Sequence, residues 1–346
     1  FMSDSQNLEL NSYDESVRGA PHMELPVLDL SLLDSPDLSN VESLAISLRD
    51  IISQIGFLCI VNHKVSEKVI AKMTEFSENF FSLPVEEKES LAINRHERGY
   101  TAINIEVIED NAIGGSSRND LNESFNFGVE YPPDDPRVIS GKRMYAANVW
   151  PKSIPEFSSV AKNYIFEMER LSKRLLPVWA IALGLKPNYF DCLFDSAHSY
   201  VRTIRYPSRP YLEKEELGIR SHSDTSFVTL LPPENETGLQ VMDENGTWFW
   251  PDCPPGGIIV NFGMYLERLS NGVVRATPHR VIPPISGTRY SMPFFMCPNL
   301  EAVIECLPTC YSSTNPPKYK PESFWSFHTN HMSKIYPHFA AKEDEL

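Results

Sequence analysis

The sequence has no Cys-x-x-Cys pair, no apolar run long enough to cross a bilayer and no basic cluster, and each absence removes a class of function. The six cysteines are Cys59, Cys192, Cys253, Cys297, Cys306 and Cys310. They lack the paired spacing of a structural zinc site, and Pro308 interrupts the one helical spacing, Cys306 to Cys310. Free, reduced thiols of an intracellular enzyme are therefore expected. The longest apolar stretch, around Leu175 to Leu185, contains Pro177 and falls short of the ~20 residues that a spanning helix needs. The N-terminus is polar and acidic, without a signal-peptide core. A cytoplasmic location without membrane association is the expectation. Lys and Arg total 31 against 46 Asp and Glu, a formal net charge of −15. Phosphate backbones need concentrated basic surface, and here the basic residues are scattered, so no nucleic-acid partner is expected. No internal repeat is visible.

What is present is a chain of 346 residues, 42% hydrophobic, enough for a sizeable core. Residues 1–24 are polar and aperiodic and read as a flexible arm. Region 25–150 mixes strands and helices. Leu25 to Leu30 and Phe57 to Val61 read as strands. Leu44, Leu48, Ile51, Ile52 and Ile55 recur at helical spacing before Gly56. Ser66 is a candidate N-cap for a helix with Val69, Met73, Phe76 and Phe80 on one face, ended by Pro84. From about 92 to 150 the chain is irregular and too long for an idle connection. A long helix is predicted from Pro155 to Leu183, within 151–197. Between 198 and 300, short β-rich runs alternate with Gly, Pro and Asn: Tyr200–Tyr206, Phe227–Leu231, Leu239–Met242, Ile258–Phe262, Val273–Ile282 and Arg289–Met296. Strands at this spacing imply a sandwich or barrel. Residues 301–346 read as a loop and a terminal helix from Phe324 to Tyr336. The fold class is thus α+β in one structural unit, with flanking helices mostly from the N-terminal half.

Nine histidines are present. A His two residues before an acid is weak evidence. His22-Met23-Glu24, in the polar arm, is the pair expected by chance. His222-Ser223-Asp224 directly precedes the alternating run Thr225 to Leu231, and on a strand residues i and i+2 share a face. His279, in another strand-like run, can complete a set of two imidazoles and one carboxylate. That set leaves three adjacent octahedral positions open, as Fe(II) needs to hold a bidentate co-substrate and O₂, whereas zinc more often takes four tetrahedral ligands. Taken singly, His222 reads as a satisfied polar residue, His279 as a structural one and Arg289 as a surface arginine. Together they suggest more. Ser286-Gly287-Thr288 reads as a hairpin turn. A turn centred near Ser286 would put Arg289, Ser291 and His279 on one face, although a slip of one residue reverses this. Arg289 would then offer a planar fork to a carboxylate.

The pattern His222-x-Asp224, His279, Arg289-x-Ser291 resembles the 2-oxoglutarate/Fe(II) dioxygenases of the isopenicillin N synthase-like branch. The resemblance covers nearly the whole chain. It includes Leu25-Pro26-Val27-Leu28-Asp29-Leu30, Gly56-Phe57 with Asn62-His63, Phe80-Phe81 with Leu83-Pro84 and Glu86-Glu87-Lys88, Arg98-Gly99-Tyr100, Gly238-Leu239-Gln240-Val241 and Ser270-Asn271-Gly272. It implies a double-stranded β-helix (a distorted jelly roll), with Fe(II) at its mouth held by His222, Asp224 and His279. It further implies 2-oxoglutarate held by Arg289, Ser291 and Tyr206, and O₂ as oxidant. The products would be succinate, CO₂ and a small molecule that is hydroxylated, desaturated or cyclised. Asp224 speaks against halogenation, since halogenating relatives carry a small residue there. Two departures stand out. Ile204 replaces an Asn common two residues before the Tyr, and Met264 follows Asn261-x-Gly263 where an Asp is common. Candidate substrate contacts are Arg95, Tyr100 and Asn104 from the irregular segment, Phe295, and the tail around Phe324 to Phe327. The alternatives are an Fe(II) oxidase of the same fold that binds its own substrate's carboxylate with Arg289 and Ser291, and a non-catalytic binding protein on this scaffold.

Overall fold

The computed structural model describes residues 12–35, 37–52, 54–103, 120–213 and 216–335. Its strands, in chain order, are β1 (His22–Glu24), β2 (Val27–Asp29), β3 (Phe57–Val61), β4 (Gly99–Thr101), β5 (Glu123–Gly128), β6 (Tyr200–Pro207), β7 (Ile219–His222), β8 (Val228–Leu231), β9 (Leu239–Met242), β10 (Trp248–Asp252), β11 (Ile258–Phe262), β12 (His279–Val281), β13 (Thr288–Ser291) and β14 (Phe294–Met296). The four long helices are α1 (Leu38–Ile52), α2 (Glu67–Phe81), α3 (Phe157–Ala182) and α4 (Phe324–Ile335). Two sheets form. The smaller runs β1-β10-β9-β12-β7. The larger runs β2-β3-β11-β8-β14-β6-β5-β4, with β13 also on β6. This is the expected α+β jelly roll with flanking helices.

The helices cover the larger sheet because their apolar faces need it. Ser66 caps α2 through Lys68 N. That helix buries Phe76 and Phe80 against Phe125 of β5 and Phe157 of α3, with ring centroids of Phe80 and Phe125 4.3 Å apart. Each such ring contributes ~1.5–3 kcal/mol by leaving water. Tyr164 of α3 donates its hydroxyl to the Met292 carbonyl at 2.7 Å. This fixes the helix to the break at Met292-Pro293 that divides the expected strand Arg289–Met296 into β13 and β14.

Several expectations change. The arm of 1–24 is structured wherever it is described: residues 12–18 are helical, Val17 is buried, and β1 pairs in parallel with β10. Arg18 supplies part of the reason, its guanidinium donating to the carbonyls of Pro283 and Arg209. The irregular segment contains β4 and β5. All six residues of β5 are buried, and its polar start is satisfied from afar. Glu123 accepts from Lys88 (2.7 Å), Tyr100 (2.6 Å) and Arg205 (2.6 Å). The β core therefore recruits strands from before residue 150 and is not confined to 198–300. Of the run Val273–Ile282, only His279–Val281 is strand. The hairpin between His279 and Arg289 does not form: β12 joins the smaller sheet and β13 the larger, so the chain at 282–287 crosses between sheets. The thiols are not all free. Cys59 of β3 and Cys253 after β10 form a disulfide, leaving Cys192, Cys297, Cys306 and Cys310. Gly257 permits this crossing, since a Cβ there would lie 2.5 Å from Cys59 Sγ and 2.7 Å from Cys253 Sγ. Among the described residues no helix is long and apolar enough to cross a membrane.

Candidate active site

His222 closes β7 and His279 opens β12, and the two are directly paired across these antiparallel strands. Their ring centroids lie 4.3 Å apart. Each Nδ1 is within hydrogen-bond distance of the carbonyl two residues earlier, His222 with Arg220 at 2.8 Å and His279 with Thr277 at 3.2 Å. A carbonyl can only accept, so each ring carries its proton on Nδ1 and turns the Nε2 lone pair inward. Asp224 lies two residues past the strand end, in the connection before β8, so the pair sits at a strand mouth as expected although the two residues do not share one strand's face. Its Oδ1 is 3.6 Å from both Nε2 atoms. Its Oδ2 accepts from Thr229 Oγ1 and Asn261 Nδ2, both at 2.7 Å. The three inward donor atoms lie within 4.8 Å of one another.

Electrostatics agree with this geometry. Burial opposes ionisation of Asp224, yet the adjacent His279 and His222 and the Thr229 donor outweigh it and hold the carboxyl below the usual range. Burial, with His279 alongside, lowers His222 to about 4. Burial also acts against a charged His279, but Asp224 wins and raises it. Two imidazoles with Nδ1 engaged and Nε2 turned inward, and one ionised oxygen that draws positive charge towards them, suit a non-haem Fe(II) ion, which would take the place of the proton that Asp224 favours on His279.

The same cavity is lined by Arg289, Ser291 and Tyr206 from the larger sheet, so it lies between the sheets. Arg289 is 1% exposed. The Tyr206 ring sits 4.7 Å from its guanidinium carbon. Burial, offset in part by the nearby Arg289, pushes the Tyr206 hydroxyl up to about 12. Gly238 lets the arginine lie against β9, because a Cβ there would meet Arg289 Cδ and Nε at 2.7 Å. Arg289 Nη1 is buried and has no hydrogen-bond partner among the described residues. A guanidinium nitrogen left without a partner, in a cavity shared with a metal-type triad, fits the distal carboxylate of a keto-diacid.

One residue at this end was not foreseen. Glu234, on the β8–β9 connection, accepts from Arg289 Nε at 2.9 Å and from Nη2 with the same oxygen, Oε2. Burial pushes its carboxyl up. In a Pro-Pro-Glu-Asn-Glu run it reads as surface charge, and no spacing signal marks it. Asn261 and Thr229 were also missed as partners of Asp224, although Asn261-x-Gly263 was a visible motif. Met264, at the departure from that motif, contributes through its backbone: its N–H donates to the Asp224 carbonyl at 2.7 Å.

The expected substrate contacts divide. Phe295 lines the cavity and stacks on Tyr200 at 4.5 Å. Arg95 does not line it; this residue is exposed and bonds the Gly141 carbonyl. Tyr100 points elsewhere too, its hydroxyl held by Glu123 and its ring near Phe80. Both find their hydrogen-bond partners outside the cavity. Asn104 lies outside the described residues. In the tail, Phe324 is buried in the core, and α4 reaches the cavity through His331 and Met332 instead of the Phe324–Phe327 turn. Arg202 and Asn126 also line the cavity.

Residues 25–153 match the family described as the non-haem dioxygenase in morphine synthesis N-terminal domain, and residues 197–298 match the 2OG-Fe(II) oxygenase superfamily. Kihadalactone A synthase LFS of Citrus sinensis is 34% identical over 309 residues, covering 86% of this chain and 89% of that protein. The 2-oxoglutarate-Fe(II) type oxidoreductase hxnY of Emericella nidulans is 32% identical, covering 86% of each. Among solved structures, a 2OG-Fe(II) oxygenase family protein from Caulobacter crescentus superposes with a TM-score of 0.78 at 27% identity, over 90% of this chain and 99% of that one. JOX2 in complex with 2OG, Fe and JA superposes with a TM-score of 0.73 at 27% identity, over 93% and 90%.

Proposed function

We propose, from the fact that this chain belongs to the 2OG-Fe(II) oxygenase superfamily, that it oxidises a small organic metabolite in the cavity between its sheets, with His222, Asp224 and His279 holding the iron and Arg289, Ser291 and Tyr206 holding 2-oxoglutarate. The protein is a 2-oxoglutarate-dependent dioxygenase that uses Fe(II) and O₂. The observation that carries the residue assignment is the convergence of two Nε2 atoms and one carboxylate oxygen within 4.8 Å, on a cavity that Arg289 and Ser291 also line.

The chemistry that the bound iron supplies is O₂ activation coupled to oxidative decarboxylation of 2-oxoglutarate to succinate and CO₂. The chain's residues make this selective. His222 and His279 turn Nε2 towards the metal because Nδ1 of each is engaged by a backbone carbonyl. Asp224 stays ionised and is oriented by Thr229 and Asn261. Arg289 and Ser291 grip the distal carboxylate of the co-substrate, with the Tyr206 hydroxyl alongside. Phe295, Tyr200, Pro293 and Met332 give the substrate end an apolar wall that limits water, and Arg202 and Asn126 offer it hydrogen bonds. A metabolite with an apolar body and an acceptor group suits that lining, and its outcome is hydroxylation, desaturation or ring closure. The name of the kihadalactone A synthase relative, a small-molecule enzyme, supports this class.

Asp224→Ala tests the assignment. It is expected to abolish tight Fe(II) binding and 2-oxoglutarate-dependent succinate release in an otherwise folded protein. Normal turnover by this variant would overturn it.

A further inference from the structure

The anchor assigned to the co-substrate already holds a carboxylate of the chain itself. Arg289 gives Nε and Nη2 to Glu234 Oε2, and the nearby Ser291 hydroxyl favours the ionised form of the Glu234 carboxyl. These are the two residues expected to receive the distal carboxylate of 2-oxoglutarate. We propose that Glu234 is an internal competitor for 2-oxoglutarate, filling the Arg289–Ser291 anchor until the co-substrate displaces it. The inference rests on the anchor assignment made above.

Charge counting requires a displacement. One buried guanidinium balances one carboxylate. A second carboxylate brought to the same cation would leave a buried negative charge without a partner, and such charges are strongly destabilising. Glu234 must therefore leave or take up a proton, and a protonated Glu234 left in place would still cover Nε and Nη2 of Arg289, the donors the incoming carboxylate needs. Arg289 cannot retreat to serve both. On one side Gly238 is already so close that a Cβ would meet Arg289 Cδ and Nε at 2.7 Å, and the Tyr206 ring flanks the guanidinium. Glu234 has somewhere to go, since its own connection borders a second cavity with Pro232, Gly238 and Pro254. The backbone need not move with it. Asn235 clamps the connection to β13, donating to the Thr288 carbonyl at 3.1 Å and accepting from Tyr290 N at 3.3 Å. Release is therefore a side-chain swing.

The pairing is also incomplete. Both hydrogen bonds from Arg289 fall on one oxygen, while Glu234 Oε1 and Arg289 Nη1 stay buried without partners among the described residues. A half-satisfied buried pair is held less firmly than a two-by-two fork. An incoming carboxylate can use Nη1, and a released Glu234 can hydrate both oxygens.

The test is 2-oxoglutarate binding to the anaerobic Mn(II)-loaded protein, measured by calorimetry and by the rise in Tm. Glu234→Gln removes the charge and keeps the shape. Glu234→Asp draws the carboxylate back by one methylene. Both are expected to bind 2-oxoglutarate about ten-fold more tightly than wild type, a usual size for coupling between competing groups. Without co-substrate, Glu234→Gln is expected to have a lower Tm than wild type, and 2-oxoglutarate to raise its Tm by more. Equal or weaker binding in both variants overturns the competitor role and makes Glu234 a brace for Arg289. If Glu234→Gln does not fold, Glu234→Asp decides alone. If wild type itself shows no 2-oxoglutarate binding in the presence of Mn(II), the anchor assignment fails instead.

Discussion

Replacing Thr229 with valine tests whether the shell behind Asp224 sets the metal affinity. Valine has nearly the shape of threonine, so no cavity opens at a position 3% exposed. What disappears is the 2.7 Å hydrogen bond from Thr229 Oγ1 to Asp224 Oδ2, and with it the acceptor for Ser226 Oγ at 2.9 Å. A hydrogen bond to a buried charge contributes ~1.5–3 kcal/mol. Loss of an orienting partner of a metal ligand typically costs about 10–100-fold in metal affinity, about 1.4–2.8 kcal/mol, so the two scales agree. Asn261 remains as the other donor to Oδ2, and residual binding should survive. The assay is anaerobic Fe(II) titration of the metal-free protein, with urea unfolding in parallel. Thr229→Val is expected to bind Fe(II) about 10–100-fold more weakly, while Thr229→Ser, which keeps the hydroxyl, recovers most of the affinity. If Thr229→Val binds iron as tightly as wild type, Asp224 is not being oriented in this way and the reasoning fails. If Thr229→Ser is as weak as Thr229→Val, the methyl group and not the hydroxyl is what matters.

Other outcomes follow from the same geometry. Gly238→Ala pushes a methyl group into Arg289 and should remove the 2-oxoglutarate-induced rise in Tm while leaving Fe(II) affinity unchanged; an unaltered rise would contradict the close approach. His198 is fully enclosed beside Tyr131 (2.8 Å), and burial holds its pKa well below the ordinary histidine value. The unfolded chain therefore takes up a proton below pH ~6.5 that the folded chain refuses, so stability is complete above that pH and falls as the medium acidifies, at up to about 1.4 kcal/mol per pH unit for this group. His198→Gln should flatten the pH dependence of the urea midpoint between pH 7 and 5, and an unchanged slope would exclude His198 as its source. Denatured under non-reducing conditions, the chain should expose four titratable thiols, those of Cys192, Cys297, Cys306 and Cys310; six would show that Cys59 and Cys253 are not joined.

Much of the site was legible because its chemistry is local. His222-x-Asp224 is a contiguous pattern, and Arg289-x-Ser291 carries its own donor geometry. The helices α1, α2 and α3 were legible for a similar reason: apolar periodicity, a capping Ser66 and a stop at Pro84 act within a few residues of one another. What stayed hidden depends on partners far along the chain. Glu123 looks like a loop acid until Lys88, Tyr100 and Arg205 surround it. Residues 12–24 look like a free arm until Arg18 meets two carbonyls some 190 and 265 positions away. The apparent hairpin between His279 and Arg289 misled because turn chemistry at Ser286-Gly287 fixes a change of direction, not which sheet the next strand joins. Glu234 was invisible for the converse reason, since a charged residue between prolines and asparagine is what a solvent loop normally contains.

The division of the cavity between two sheets has a mechanical consequence. The imidazoles and Asp224 belong to β7, β12 and the turn beyond β7, while Arg289, Ser291 and Tyr206 ride on β13 and β6 of the opposite layer. A ligand gripped at both ends would act as a cross-tie, and its length would gauge the gap between the layers. Substitutions that splay or squeeze the sandwich far from any ligand would then alter co-substrate choice by chain length, favouring a longer or shorter diacid without touching a single contacting atom.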